Sequence, residues 1–179
     1  MTKDTVSIAR LTAWLARFEA LLGPPGAEPS LARGMTAVLG KVGNADAASI
    51  GELFTAVGMT LVGSASGSTG PLYGTFFLRF GMQAGTLTAL DATSLGRALR
   101  AGHEGAVERG IAAIGDTTML ETLARGVDAY DDEIARGSDA ARAASTAFAA
   151  AQLPDDIPDP SAASVVLLFA ALATALASD

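Results

Sequence analysis

Residues 63–77, G-S-A-S-G-S-T-G-P-L-Y-G-T-F-F, join a run of small residues to the start of a helix, and this junction decides the fold. Pro71 stands where a first-turn proline belongs, and the aromatic residues after it recur at steps of three and four, which predicts a helix through Ala84. Similar apolar spacing, interrupted by capping and turn residues, repeats along the chain without strand-like alternation. The sequence therefore predicts an all-α fold of eight helices.

Capping residues and glycine or proline stops set the predicted bounds of these helices. Two capping boxes are expected, in which Ser49 pairs with Glu52 and Thr118 pairs with Glu121. The helices are predicted from about Val6 to Leu22, from a cap at Ser30 to Val42, from Asp46 or Ser49 to Leu61, from Pro71 to Ala84, from Asp91 to about Ala113, from Asp116 onward, from a cap at Ser138 to before Pro154, and from Asp159 onward.

Composition limits the possible functions. The 179 residues are the length of one domain, predicted to cover 1–179, and 50% of them are hydrophobic while only 6% are aromatic, as in a helical bundle. The formal net charge is −7 and the 12 Lys and Arg residues are scattered, which argues against nucleic acid as a partner. The absence of cysteine excludes disulfides and thiolate zinc sites, and it fits a reducing cytosol.

Sequence features near the two ends of the chain are the basis for predicting the cellular location of the protein. Lys3, Asp4 and Arg10 interrupt the pattern of a signal peptide, so we expect a cytoplasmic protein. Residues 162–178 are continuously apolar or small, but this run is shorter than the roughly 20 residues that a transmembrane helix needs. We therefore predict a buried core helix there and no membrane span.

The small-residue run at 63–70 is the strongest candidate binding feature. Glycine and hydroxyl residues directly before a helix expose backbone N–H groups beside the positive end of the helix dipole, which favours an anion such as phosphate. No Lys-Ser or Lys-Thr closes the loop, so it is not a Walker A motif. A close crossing of two helices, in which Gly and Ser let the backbones approach, remains an alternative.

Other polar residues give weaker signals. The loop at 115–119, G-D-T-T-M, enters a helix and is by itself a capped N-terminus. Only Glu19 and Glu28 offer carboxylates near the proline-rich loop that follows the first helix. Mg²⁺ in phosphoryl-transfer sites usually needs converging carboxylates together with phosphates, and the sequence shows no obvious acidic cluster.

The charged residues of the later helices are interpreted as surface residues. The run Asp131-Asp132-Glu133 is predicted to form a solvated face, and His103 is predicted to be an exposed helix residue. Arg109 and Arg142 are ordinary surface candidates.

Five motifs in order carry a resemblance to a known family: A-R-G-M at 32–35, V-G-M-T-L-V at 57–62 running into G-S-T-G-P-L-Y-G-T-F-F at 67–77, E-R-G at 108–110, G-D-T-T-M-L-E-T-L at 115–123, and D-P-S-A-A-S at 159–164. Through them the chain resembles the L subunit of bacterial dihydroxyacetone kinase, the DhaL family, along essentially its whole length. The fourth motif is close to the family's G-D-K-T-M-L-D-A-L, and the run G-P-L-Y-G-T-F-F is specific.

The resemblance implies an antiparallel barrel of eight helices that holds a nucleotide at one end. In this family ADP acts as a bound cofactor that a phosphotransferase-system protein, DhaM, rephosphorylates, and the phosphoryl group passes to dihydroxyacetone on the DhaK subunit; ATP-dependent relatives use exchangeable ATP. By position, the resemblance places Ser68, Thr69, Gly70 and Leu72 at the phosphates, Gly115, Thr118 and Met119 along the nucleotide, and Asp159 in a lid.

The sequence departs from the family where the metal should bind. The family's L-D-x-x-I-G-D-G-D-H-G-x-N-M, whose three aspartates hold two Mg²⁺ ions, corresponds here to F-E-A-L-L-G-P-P-G-A-E-P-S-L at 18–31. The aspartates thus become Glu19, Pro24 and Gly26, and the stiffness of prolines 24, 25 and 29 disfavours a swing of Glu28 into their place. Other family residues are also replaced: the histidine by Ala27, the asparagine by Ser30, a lysine by Thr117, a basic residue by Ile111 and a lid arginine by Leu153.

Three functional interpretations follow from these features. The favoured one is a non-catalytic binding or regulatory module, because phosphoryl transfer depends on cations that neutralise phosphate charge. The alternative is a working ADP-binding or ATP-binding subunit with Mg²⁺, a DhaK-like partner and a DhaM-like phosphoryl donor. The third is a carrier of an apolar ligand in an axial cavity. An oligomer is possible under each of them.

Overall fold

The computed structural model describes residues 5–23, 28–43, 46–64, 67–112, 117–154 and 159–177. Within these ranges the chain forms eight α-helices and one pair of two-residue strands. The elements are β1 (Val6–Ser7), α1 (Ile8–Leu22), α2 (Pro29–Val42), α3 (Ile50–Ser64), α4 (Thr69–Ala84), β2 (Ala89–Leu90), α5 (Ala92–Ala112), α6 (Thr117–Ala135), α7 (Ala140–Ala150) and α8 (Pro160–Ala177).

The helices form a closed ring. Each helix packs against the next along the chain, and α8 packs back against α1. The predicted all-α bundle of eight helices is therefore confirmed in the described part of the chain. The antiparallel pair β1 and β2, with Val6 opposite Leu90, was not predicted, because two residues are too few to show an alternating pattern.

Aromatic rings fill the middle of the bundle. Trp14 of α1 is fully buried, and its ring centroid lies 5.7 to 6.0 Å from the rings of Phe54, Phe77 and Phe80. The Trp14 indole N–H also donates to the carbonyl oxygen of Leu168 at 3.0 Å, which ties α1 to α8 where the ring closes. These buried side chains occupy this part of the interior. They therefore disfavour the third interpretation, a carrier that holds an apolar ligand in an axial cavity.

The apolar segment at 162–178 forms most of α8. Val165, Leu168, Phe169 and Leu172 are buried in it, so the predicted core helix is confirmed over the described residues. By length and composition alone α8 is the one described helix that could cross a membrane, but half of it is buried inside the bundle. Core helices of bundles commonly have the same composition.

Glycine lets α6 and α8 pack closely. A Cβ atom at Gly126 would overlap the ring of Phe169, whereas a Cβ atom at Gly40 on the surface of α2 would have no neighbour within 4 Å. We expect Gly126→Ala to lower the free energy of unfolding by about 1–3 kcal/mol, since overpacking forces the ring to move. The matched Gly40→Ala should raise it by about 0.5–1 kcal/mol through helix propensity. Urea denaturation measures both, and equal effects of the two changes would contradict this packing.

Several predicted helix starts need correction. Ser49 does accept a hydrogen bond from the Glu52 N–H at 3.1 Å, as the capping box predicted. However, α2 starts at Pro29 rather than after a cap at Ser30, and Thr118 lies inside α6, so neither residue is an N-cap. The cap of α7 is Asp139, whose side chain accepts from the Arg142 N–H, and not Ser138.

The acidic run at 131–133 is a solvated face only in part, because Asp132 is exposed as predicted while its two neighbours bind other side chains. Glu133 is buried, and its carboxylate accepts hydrogen bonds from Ser138 at 2.7 Å and from Arg142 at 3.1 Å. Asp131 binds the guanidinium of Arg100. Arg100 belongs to α5, Ser138 to the connection before α7 and Arg142 to α7 itself, so Asp131 and Glu133 link α6 to its neighbouring helices.

His103 is also less exposed than predicted. It is half buried on α5, and its Nδ1 atom is buried without a hydrogen-bond partner among the described residues. Burial lowers the pKa of His103, with a further contribution from the positive charge of Arg100. The imidazole is therefore neutral at pH 7.

The Glu133 contacts predict a pH-dependent stability. Hydrogen bonds from Ser138 and Arg142 hold the pKa of Glu133 below its usual value in the folded chain. The stabilisation is therefore present above the unfolded-state pKa of about 4.3, and it is lost as the pH falls through the folded-state pKa. We expect the difference in Tm between the wild type and Glu133→Gln to be largest near neutral pH and to shrink below about pH 4. A constant difference from neutral to acidic pH would show that this carboxylate is not stabilised by its contacts.

Candidate functional site

Three helix starts meet at one end of the bundle around a carboxylate. Glu28 directly precedes α2, Thr69 is the first residue of α4, and Ser161 lies in the first turn of α8. The Ser161 hydroxyl donates to Glu28 Oε1 at 2.8 Å, the Thr69 hydroxyl lies 3.4 Å from the same oxygen, and the two hydroxyls are 3.2 Å apart. We call Glu28, Thr69 and Ser161 the Glu28 cluster.

Helix starts favour a negative charge at this position. The first turn of a helix leaves backbone N–H groups unpaired and carries the positive end of the dipole. Ser68 holds the N-cap position of α4 but makes no capping hydrogen bond with its side chain, whereas Asp159 caps α8 by accepting from the Ala162 N–H at 3.1 Å. The carboxylate of Glu28 thus stands beside a helix start that lacks a side-chain cap.

The glycines before α4 do not serve a close crossing of helices. A Cβ atom at Gly63 or at Gly67 would find nothing within 4 Å. Gly67 has a φ of 84°, a backbone conformation that favours glycine in the turn into α4. At these two positions packing between helices does not require glycine.

A buried tyrosine extends the cluster toward the core. The Tyr73 hydroxyl lies 2.8 Å from the Ser164 hydroxyl, which in turn donates to the carbonyl oxygen of Ser161 at 2.6 Å. Burial raises the pKa of Tyr73, so the phenol stays neutral. Sequence reasoning gave neither residue a role, although Tyr73 stands in G-P-L-Y-G and Ser164 in D-P-S-A-A-S, two of the motifs that carry the resemblance.

The predicted phosphate residues lie in and beside this cluster. Ser68 is exposed, while Thr69 and Gly70 are buried at the start of α4, and the side chain of Leu72 is buried in the core. Asp159 lies two residues before Ser161 of the cluster. Ser68, Thr69, Gly70 and Asp159 therefore lie at the end of the bundle where three helix starts meet.

The predicted residues of α6 lie apart from these hydrogen bonds. Thr118 is half buried in the first turn of α6, and Met119 is buried in the core. No hydrogen bond within the described residues joins Thr118 to the Glu28 cluster, and its carbonyl oxygen accepts from Thr122 instead. Gly115 lies outside the described residues, as do Pro24 and Gly26.

Comparison with known proteins places the chain in a family. A family model for the DAK2 domain matches residues 29–154. The chain belongs to the DAK2 domain family. It is also 33% identical over 104 residues to "PEP-dependent dihydroxyacetone kinase 1, ADP-binding subunit DhaL" of Listeria innocua, covering 58% of this chain and 52% of that protein.

Two further relatives carry similar names. The chain is 30% identical over 109 residues to "PTS-dependent dihydroxyacetone kinase, ADP-binding subunit DhaL" of Lactococcus lactis, covering 61% of this chain and 54% of that protein. It is 36% identical over 89 residues to the "PEP-dependent dihydroxyacetone kinase, ADP-binding subunit DhaL" of Escherichia coli, covering 50% and 42%. The chain spans about half the length of these relatives, and the resemblance to the DhaL family is confirmed.

The described residues of this DAK2 domain do not fit a magnesium ion. They contain no group of three or more His, Asp or Glu side chains arranged to hold a metal. Glu19, at the one family metal position that keeps a carboxylate, accepts a hydrogen bond from Thr36 at 2.8 Å, and Glu28 is held by Ser161. Proline and glycine at positions 24 and 26 have no side-chain oxygen to offer.

The space beside Glu28 is also small. A cavity of about 40 Å³, walled partly by Leu22, Ser164 and Leu167, opens next to the carboxylate. Typical small-molecule sites measure about 300 Å³ or more. This cavity, formed by described residues alone, is therefore smaller than a typical small-molecule site.

Proposed function

We propose that this DAK2 domain transfers no phosphoryl group and acts as a cytoplasmic binding or regulatory module of a dihydroxyacetone kinase system. The observation that carries the proposal is the position of the Glu28 carboxylate. It lies within hydrogen-bonding reach of Thr69 and Ser161, at the helix start where the resemblance puts the nucleotide phosphates.

The negative charge of the Glu28 carboxylate disfavours the binding of a nucleotide at this position. Two unit charges 4 Å apart interact with about 4 kcal/mol at the effective dielectric constant of a protein surface, and ADP brings about three negative charges. In related sites Mg²⁺ neutralises such charge. Here Glu19 and Glu28 accept hydrogen bonds from hydroxyl groups, and Glu28 lies beside the helix start to which the resemblance assigns the phosphates.

The retained motifs support a role within the same system. The run at 67–77 keeps the family's sequence, and α4 starts within it at Thr69. A module that preserves the barrel while its metal residues are replaced is suited to binding the partners of the family, a DhaK-like subunit or a DhaM-like protein. Binding of a partner without transfer would make the domain a regulator or a competitor of a working subunit.

A working subunit is the second candidate. Ser68, Thr69 and Gly70 still form the start of α4, and the curated relatives are named as ADP-binding subunits. In that case ADP or ATP with Mg²⁺ would bind at this end of the bundle, and Glu28 would have to leave Ser161.

A reconstituted kinase assay separates the two candidates. The chain is mixed with a competent DhaK subunit, dihydroxyacetone and either a phosphorylated DhaM protein or ATP, and the formation of dihydroxyacetone phosphate is measured. A working DhaL subunit in place of the chain is the positive control. We expect no turnover above the reaction without an L subunit, and turnover that rises with the concentration of the chain would refute the proposal.

A further inference from the structure

A second concave site lies on the outer surface of the bundle. A cavity of about 410 Å³ opens over α5, between the end of α4 at Gln83 and the second half of α6 at Asp131. Its volume is within the range of small-molecule sites. We call it the α5 groove, lined by Gln83, Arg97, Arg100, Glu104 and Asp131 among others.

The α5 groove is separate from the Glu28 cluster. Gln83 is 14 residues beyond Thr69 on the same helix, which corresponds to about 21 Å along the axis. The two sites therefore lie toward opposite ends of α4, and a ligand in the groove does not depend on the nucleotide site.

Arg100 is held in a fixed orientation at the groove. Its Nε atom donates to Asp131 at 3.0 Å, and a terminal nitrogen donates to Asp131 at 2.6 Å and to Asp128 at 2.7 Å. Gly96 allows this arrangement, because a Cβ atom there would come within 3.0 Å of the Asp131 carboxylate. The other terminal nitrogen of Arg100 makes no hydrogen bond with the described residues, so it remains available to a ligand.

Two opposite charges in the groove form no hydrogen bond and no close ion pair with a described residue. Arg97 and Glu104 are exposed, and neither forms a hydrogen bond or an ion pair with a described residue. They are seven residues apart on α5, which puts them on the same face and about 10.5 Å apart along the axis. A cation and an anion thus border the same cavity, although Arg97 also interacts electrostatically with Asp91.

The charge arrangement selects the class of ligand. The charged side chains that line the groove are two cations, Arg97 and Arg100, and two anions, Glu104 and Asp131, so the lining itself carries no net charge. Arg100 also binds Asp128, which lies outside the lining. A simple anion would pair with Arg97 but be repelled by Glu104. A simple cation would pair with Glu104 but be repelled by Arg97. From this geometry we infer that the α5 groove binds a small zwitterion whose carboxylate faces Arg97 and Arg100 and whose ammonium group faces Glu104.

Matched probes test the inference. The full chain is titrated with 6-aminohexanoate, hexanoate and hexylamine at low salt, and binding is followed by amide chemical shifts of α5. We expect saturable binding of 6-aminohexanoate, and about tenfold weaker binding of the two probes that lack one charge. Equal binding of all three probes, or no saturation by 6-aminohexanoate at tens of millimolar, would overturn the inference.

Substitutions in the groove complete the test. Arg97→Gln and Glu104→Gln should each weaken 6-aminohexanoate binding about tenfold, and exchanging the two charges in one double variant should restore it. Arg109→Gln, which removes an exposed charge of α5 outside the groove, is the matched control and should leave binding unchanged. Because these side chains are exposed, the variants should fold, and groove variants that bind like the control would contradict the proposed ligand position.

Discussion

The change Glu28→Gln is expected to give this chain a measurable affinity for ADP. The amide keeps the shape of the side chain and can still accept from Ser161, but it removes the negative charge beside the start of α4. A phosphate could then approach the N–H groups of the helix start. We expect Glu28→Gln to bind ADP saturably in calorimetry without Mg²⁺, with a Kd at least about tenfold below the lower limit that the wild-type titration sets.

Glu19→Gln is the matched control for that experiment. Glu19 is a second carboxylate near the proline-rich loop, but its hydrogen bond goes to Thr36 of α2. Neutralising it should change the affinity for ADP far less. If Glu28→Gln binds ADP no better than the wild type, or if both changes act equally, the Glu28 carboxylate does not exclude the phosphate.

Trp14→Ala is expected to be the most destabilising single substitution considered. Trp14 is fully buried, contacts the aromatic rings of α3 and α4, and donates to the Leu168 carbonyl oxygen of α8. Removing a buried aromatic side chain costs about 3–5 kcal/mol, a large share of the roughly 5–15 kcal/mol that stabilises a typical protein. Urea denaturation should show a corresponding drop in the free energy of unfolding.

Two further variants separate the contributions of Trp14. Trp14→Phe keeps a buried ring and loses the N–H group, so its cost should be smaller, about 1–3 kcal/mol. Met59→Ala, at a side chain that is 61% exposed, should stay within about 0.5 kcal/mol of the wild type. A loss below about 1 kcal/mol for Trp14→Ala would contradict the role of this residue in closing the ring.

The helices were predictable because each carries its own apolar periodicity. The aromatic spacing after Pro71 and the Ser49 capping box are local signals, and the structure contains both. The cap of α7 was mistaken because Ser138 and Asp139 are both good capping residues. Ser138 is engaged by the buried Glu133, a contact that local sequence does not reveal.

The candidate site was only partly predictable, because some of its contacts join residues that are far apart in the sequence. Thr69 could be placed at a helix start from its own neighbourhood in the sequence. The position of Glu28 depends on Ser161, which is 133 residues away in the chain and reaches Glu28 only because α8 closes the ring against α1. The prolines of the preceding loop gave no information about the direction in which Glu28 points.

Calorimetric titration of the wild-type chain with ADP in the presence of Mg²⁺ tests the central claim most directly. The account predicts no saturable heat, because the described residues contain no group of three or more metal-ligating side chains and the Glu28 carboxylate lies beside the start of α4. Saturable binding of one ADP per chain that disappears when Mg²⁺ is chelated would contradict it, and would identify the domain as a working nucleotide-binding subunit.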